Sequence, residues 1–200
     1  LKDMEHGFAG LAGIVTSLAV IIATFGIFVK DESAKNIDKL GKMMKNMTLE
    51  NIATVCGAYH GDPAKSKQEV TNIVIDSRKI EPGGLFIATK GERVDGHSFI
   101  GQVMEKGALA VVSEQELPDA DFPYILVKDS FTALKQIAAF YREQLSVHVV
   151  GITGSVGKTS TKEMIAGVLS AKYHVMKTEG NFNNEIGLPL TILRIREEDE

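Results

Sequence analysis

Hydrophobic and polar positions divide the chain into three stretches. Phe8 to Val29 carries no charged residue. As one helix it would be about 33 Å long, enough to cross a bilayer. Gly7, Gly10, Gly13 and Gly26 leave open a buried hydrophobic hairpin or core helix instead. Asp31 to Asn46 is polar and lysine-rich, with Ile37, Leu40, Met43 and Met44 at helical spacing, and reads as an amphipathic helix or a linker. From 47 to about 146 short helical and short extended patterns alternate. Thr48 can cap a helix carrying Leu49, Ile52, Ala53 and Cys56. Strands are expected at Val70–Asp76, Leu85–Ala88, Leu109–Val112 and Tyr124–Val127. Ser98 can cap a second helix with Phe99, Ile100, Val103 and Met104 on one face, and Ser130 starts a third with Leu134, Ile137, Ala138 and Tyr141 inward. From 147 the spacing predicts a strand over Val147–Ile152, a helix over Lys158–Lys172 with Met164, Ile165, Val168 and Leu169 against a sheet, and a second strand over Tyr173–Thr178.

The expected fold class is therefore α/β, in three parts. Residues 1–43 form a hydrophobic helical segment plus polar linker. Residues 44–146 form a small α/β domain. Residues 147–200 form the beginning of a phosphate-loop domain with a parallel sheet. Such a sheet needs more strands than the tail supplies, so the chain is expected to be a piece of something longer.

Composition narrows the function classes. The 200 residues carry a net charge of −4 and no basic stripe, which argues against a nucleic-acid binder. Tryptophan is absent, so a stacking platform for single strands is not expected. Cys56 is the only cysteine, which excludes an internal disulfide and a cysteine metal cluster and fits a reducing cytoplasm. Should 8–29 span a membrane, the lysines at 30, 35, 39, 42 and 45 leave the rest on the cytoplasmic side.

The candidate chemistry lies in Gly151-Ile152-Thr153-Gly154-Ser155-Val156-Gly157-Lys158-Thr159-Ser160. Small residues let backbone N–H groups crowd an anion, and a helix N-terminus adds partial positive charge. Gly154, Ser155, Val156, Gly157, Lys158, Thr159 and Ser160 are the candidate ATP cradle. Lys158 would reach the β/γ-phosphates, and the Thr159 hydroxyl would bind Mg²⁺. The commoner spacing, with four residues between the glycines, would put Gly at 152, where Ile152 stands. His60, His148 and His174 are unclustered and lack metal-ligand spacing. His97 reads as a loop and cap element, and Glu163 as a surface residue of the helix.

Three further strings stand in order with the loop. They are Asp76-Ser77-Arg78 followed by Pro82-Gly83-Gly84-Leu85-Phe86, then Asp95-Gly96-His97, and finally Gly180-Asn181-Phe182-Asn183-Asn184-Glu185-Ile186-Gly187. Together with Lys162-Glu163-Met164 after the loop, they resemble the Mur ligases, the ATP-dependent amide-bond ligases of peptidoglycan precursor synthesis. The resemblance spans roughly 44–196 and leaves 1–43 uncovered. It implies that 44–146 is a UDP-sugar-binding domain and that 147–200 opens the central ATP-binding domain. Ser77 and Arg78 would meet the UDP group, and Asn183 and Asn184 would line the muramoyl-peptide side of the cleft. From residue chemistry alone, Ser77-Arg78 is equally a strand-end turn, and Asn183-Asn184 a turn or cap. The asparagine string points within the family to the reaction that joins D-alanyl-D-alanine to UDP-N-acetylmuramoyl-tripeptide. In that reaction ATP phosphorylates the tripeptide carboxylate, and the incoming amine displaces phosphate from the acyl phosphate. Lys158 and Thr159 would be the catalytic residues of the loop.

The family's further magnesium ligands and C-terminal domain follow the asparagine string, so 1–200 is expected to show no ligase turnover alone. Alternatives are a sister ligase adding the third peptide residue, a generic phosphate-loop NTPase, and a non-catalytic membrane-tethered or phage-derived fusion piece. The apolar 8–29 run is also similar to stretches of phage tail tape-measure proteins.

Overall fold

A computed structural model describes residues 44–200 except 92, 93, 181 and 183. The apolar run 8–29, the linker up to 43 and Asn183 lie outside the described residues. Among the described residues, no helix is long and apolar enough to cross a membrane.

The chain enters through α1 (Leu49–Cys56), where the Thr48 hydroxyl accepts the Asn51 N–H at 3.2 Å. This satisfies one of the N–H groups that a helix start leaves without a partner. Strand β1 (Ala58–His60) and the single turn α2 (Pro63–Ser66), with proline in its first turn and Asp62 as cap, follow. Then come β2 (Ile73–Val74), β3 (Leu85–Ile87), a 3₁₀ turn (Gly96–Phe99) running into α3 (Ile100–Glu105), β4 (Ala110–Ser113), β5 (Tyr124–Leu126) and α4 (Ser130–Glu143).

The five strands form one sheet ordered β1-β5-β4-β3-β2, with β1 antiparallel to β5 and the other pairs parallel. Leu85 pairs with Ala110 and Val111 with Tyr124, which fixes the register across the centre. Both faces are covered, so the strands read as continuous apolar runs rather than as alternation. On one face Leu85, Ile87, Ala110, Val112 and Ile125 pack under Ile52 of α1 and Leu134, Ile137 and Tyr141 of α4. On the other, Phe86, Val111 and Tyr124 pack against Ile100 and Val103 of α3.

Several expectations on this domain need correction. The Val70–Asp76 strand shrinks to Ile73–Val74, because only there does β3 offer a ladder. Asp95, not Ser98, caps the turn before α3, accepting the His97 N–H, while Ser98 lies within the turn and donates back to the Asp95 carbonyl. By contrast, α4 starts at Ser130 as expected, with Asp129 as its cap. Strand β1 has no counterpart in the sequence reading, since its three residues alternate too briefly to register.

The larger departure comes after residue 146. Helix α5 (Lys158–Leu169) and the short α6 (Gly187–Ile192) form, but Val147–Ile152 and Tyr173–Thr178 contain no strand. In place of a ladder, the His148 N–H donates to the Glu200 carbonyl, and the Glu200 N–H to the His174 carbonyl, both at 2.9 Å. Val149, Val150, Met164 and Val168 are exposed, and only Ala166 of α5 is buried. The face of α5 expected against a sheet therefore meets none among the described residues. Helix α6 does find a core: Leu193 is buried beside Leu134 and Ile137, with Ile186, Leu190 and Ile192 packed around it.

Candidate functional site

The loop Thr153–Gly157 owes its shape to its glycines. Gly154 sits at φ 149° and Gly157 at φ 81°, a left-handed conformation that a side chain would strain. Gly157 is the N-cap of α5, so the N–H groups of Lys158, Thr159 and Ser160 occupy the first turn and have no earlier helical carbonyl. The first such bond inside the helix runs from the Thr161 N–H to the Gly157 carbonyl at 2.9 Å. Residues 153–160 are all exposed, Val156 at 90 %. The Lys158 ammonium folds back onto the Gly154 carbonyl at 2.5 Å. Positive φ at both glycines, open N–H groups and a lysine already bound to an oxygen at the loop mouth fit an anionic oxygen ligand.

On the helix face one turn beyond Lys158, Lys162 is largely buried, and its ammonium donates to the Thr178 carbonyl at 2.7 Å and the Gly180 carbonyl at 3.2 Å. Its neighbour Glu163 pairs with Lys177, which holds the Glu163 carboxyl below the usual range. The backbone then leads to Asn184, whose side-chain oxygen accepts the N–H groups of Gly187 at 2.7 Å and Ile186 at 3.3 Å. That oxygen is spent on the start of α6, leaving the amide nitrogen as Asn184's donor toward any ligand. Next to it, Glu185 pairs with Lys135 of α4.

Ser77 and Arg78 lie in the connection leaving β2. Ser77 is buried, and its carbonyl accepts the Lys106 ammonium at 2.9 Å. The Arg78 side chain is exposed and braced by Asp76 through two parallel bonds, Nε to Oδ1 at 2.9 Å and Nη2 to Oδ2 at 2.8 Å. Hydrogen bonds from the Arg78 side chain and backbone N–H bring the Asp76 carboxyl down to about 2. Two of the five guanidinium donors are thereby used, and three are left to face an anion.

The loops after β3 and β4 meet through His97. Its Nδ1 lies 2.6 Å from Asp95 Oδ1, and its Nε2 accepts the Glu114 N–H at 3.2 Å. An Nε2 that accepts puts the ring proton on Nδ1, facing Asp95. The Glu114 carboxylate in turn accepts the Ser130 N–H at the start of α4, at 2.7 Å. In a parallel sheet the carboxyl ends of the strands are where ligands are received.

The predicted site residues among those described thus fall in three places: the 153–160 loop, the connection that carries Asn184 and the 76–78 turn. Lys162 joins the first two. No hydrogen bond or ion pair among the described residues joins Ser77 or Arg78 to 153–160. Sequence reasoning quoted Asp76 and Lys162 within the motif strings without giving them a role, and passed over Lys106 and Lys135. Lys162 had a further signal, standing four positions after Lys158 and so on the same helix face.

Two family models match the chain, the Mur ligase middle domain over residues 152–200 and the Mur ligase family catalytic domain over 69–142. The UDP-N-acetylmuramoyl-tripeptide–D-alanyl-D-alanine ligase of Bacillus subtilis is 45 % identical over 159 residues, covering 78 % of this chain and 35 % of the relative. The crystal structure of MurF from Acinetobacter baumannii superposes with a TM-score of 0.68 at 38 % identity, covering 76 % of this chain and 34 % of that one. MurF ligase from Thermotoga maritima in complex with ADP gives a TM-score of 0.56 at 40 % identity, over 64 % of this chain and 30 % of that one. The chain spans about a third of the length of these relatives.

Proposed function

Since the chain belongs, over residues 69–142 and 152–200, to the Mur ligase family, we propose that it serves an ATP-dependent ligase joining D-alanyl-D-alanine to UDP-N-acetylmuramoyl-tripeptide. The observation that carries the reading is the 153–160 loop: two glycines at positive φ, an open helix start, and Lys158 bound to a backbone oxygen.

On this reading the N–H groups of Lys158, Thr159 and Ser160 bind the terminal phosphates of ATP, and Lys158 exchanges the Gly154 carbonyl for a phosphate oxygen. The Thr159 hydroxyl, exposed beside them, suits a magnesium ion, whose chemistry when bound is to neutralise charge on the phosphates. A carboxylate is a poor electrophile because its leaving group is oxide. Transfer of the γ-phosphoryl group to the tripeptide carboxylate, with ADP leaving, replaces oxide with phosphate as the leaving group. The amine of D-alanyl-D-alanine then attacks the acyl carbon, forming the amide bond and releasing phosphate. Lys158 stabilises charge on the transferring group. Ser77 and Arg78 meet the UDP group, Arg78 through the three guanidinium donors left over by Asp76. The amide nitrogen of Asn184 donates toward the muramoyl-peptide. Asn183, outside the described residues, is assigned to the same side by the family motif. The fold reading that goes with this is a UDP-sugar domain at 44–146 and the opening of an ATP-binding domain at 147–200.

Titration with the magnesium complex of ATP, followed by amide NMR, tests the reading. Shifts should concentrate at 153–160, and Lys158→Ala should abolish them. Shifts spread evenly over the chain, or unchanged in the variant, would overturn it.

A further inference from the structure

Helix α5 grips the chain beyond it with two consecutive side chains. Lys162 donates to the carbonyls of Thr178 and Gly180, and Glu163 pairs with Lys177. The two grips differ in kind. Glu163 and Lys177 are roughly half exposed, whereas the Lys162 side chain is 16 % exposed, with its ammonium on two backbone oxygens and Glu163 Oε1 at 3.5 Å. An ammonium taken out of water holds its acceptors firmly, because breaking the contact leaves a buried charge unpaired.

The oxygens it holds are well placed. The Glu179 carbonyl beside them accepts the Phe182 N–H at 3.0 Å. The Phe182 backbone lies against Gly187 so closely that a Cβ there would stand 2.6 Å from the Phe182 Cα. Gly187 is also where the Asn184 side chain caps α6. A continuous series of contacts therefore runs from α5 to Asn184, and it starts about 6 Å along the helix from Lys158, four residues at 1.5 Å each.

We infer that Lys162 is a positioning residue that couples the nucleotide loop to the substrate side of the cleft, by holding Thr178 and Gly180 to the same helix whose first turn receives the phosphates. The inference rests on the nucleotide reading of 153–160. Lys162 touches neither ligand. Occupation of the loop would steady α5, and Lys162 would pass that steadiness to Thr178, Glu179, Gly180 and Phe182. Lys158 and Lys162 differ in their partners: one carbonyl within the same loop against two carbonyls sixteen and eighteen positions away.

The test is amide hydrogen exchange at Glu179, Gly180 and Phe182 in the 200-residue chain, with and without the magnesium complex of a non-hydrolysable ATP analogue. Nucleotide should slow exchange at these amides by about tenfold in the unmodified chain, within the usual range for coupled sites. In Lys162→Met the analogue should bind within about twofold of its normal affinity while the protection disappears, a split that loss of overall stability would not produce. Lys162→Arg, which restores a cation, should recover protection. Should Lys162→Met fail to fold by circular dichroism, Lys162→Gln supports the same comparison. Equal protection in the unmodified and neutral variants, at equal nucleotide affinity, overturns the inference and leaves the nucleotide reading standing. Failure of the unmodified chain to bind the analogue overturns that reading and the inference with it.

Discussion

Replacing Gly187 by alanine should destabilise the protein, although alanine is the better helix former. Gly187 opens α6, and its added Cβ would lie 2.6 Å from the Phe182 Cα, 2.7 Å from its Cβ and 2.8 Å from its carbonyl carbon. Carbon atoms pack comfortably at about 3.5–4.0 Å, so the overlap is roughly 1 Å. Two of the three atoms are backbone, and no rotamer change relieves them. Overpacking of this kind costs about 1–3 kcal/mol. Against it stands a helix-propensity gain of at most about 1 kcal/mol, smaller at a first-turn position. The net expectation is a loss of about 1–2 kcal/mol, with Phe182 and the Asn184 cap displaced together. Gly101 in α3 is the control, because a Cβ there meets nothing within 4 Å. Gly101→Ala should leave stability unchanged or raise it by up to about 1 kcal/mol. Urea unfolding followed by far-ultraviolet circular dichroism reads both, provided the slope stays constant while the midpoint moves. A Gly187→Ala midpoint at or above that of the unmodified chain would refute the steric argument. So would equal shifts of the same sign in both variants.

Other consequences concern single groups. Tyr141 is buried, and its hydroxyl donates to the Ile195 carbonyl at 2.7 Å, an oxygen that also accepts Arg196 Nη1 at 3.0 Å, so Tyr141→Phe should cost about 1 kcal/mol in the same urea assay by removing the shorter of these two bonds. Burial pushes the Cys56 thiol up to about 12; a thiol-specific reagent at pH 8 should therefore label the folded chain far more slowly than the urea-unfolded one, and equal rates would contradict the burial. The Asp76 carboxyl, held to about 2 by Arg78, is depressed in the folded state, so the small stability it contributes is present above its ordinary value near 4 and lost as pH falls toward 2. Carboxyl-carbon NMR should find its midpoint near 2, and Arg78→Ala should return it toward the ordinary range.

The first hundred described residues were legible because their periodicity states which side of each element is buried. Leu134, Ile137, Ala138 and Tyr141 recur at helical spacing, and all four are in the core. Leu85-Phe86-Ile87 could be read as a strand, and it lies inside the sheet between β2 and β4 with Phe86 turned to one core and its neighbours to the other. What escaped was contact between distant positions. Nothing in a list of residues says that the Lys106 ammonium reaches the Ser77 carbonyl, or that Lys135 meets Glu185 fifty positions away. Asn184 could be read two ways from its chemistry, and its side-chain oxygen serves as a helix cap.

The strands expected after residue 146 show where local pattern stops deciding structure. A helix closes its hydrogen bonds within its own sequence, so α5 forms from Lys158 to Leu169 even with Met164 and Val168 exposed. A strand takes every backbone partner from elsewhere in the chain, and a two-stranded pairing alone is marginal. Val147–Ile152 and Tyr173–Thr178 have the right composition but meet no ladder among the described residues, and they share only the isolated backbone bonds through Glu200. The loop before α5 depends less on that ladder. Its shape comes from Gly154 and Gly157 and from the first turn of α5, all local, so the loop geometry from which the phosphate site is proposed stands even where the expected sheet does not.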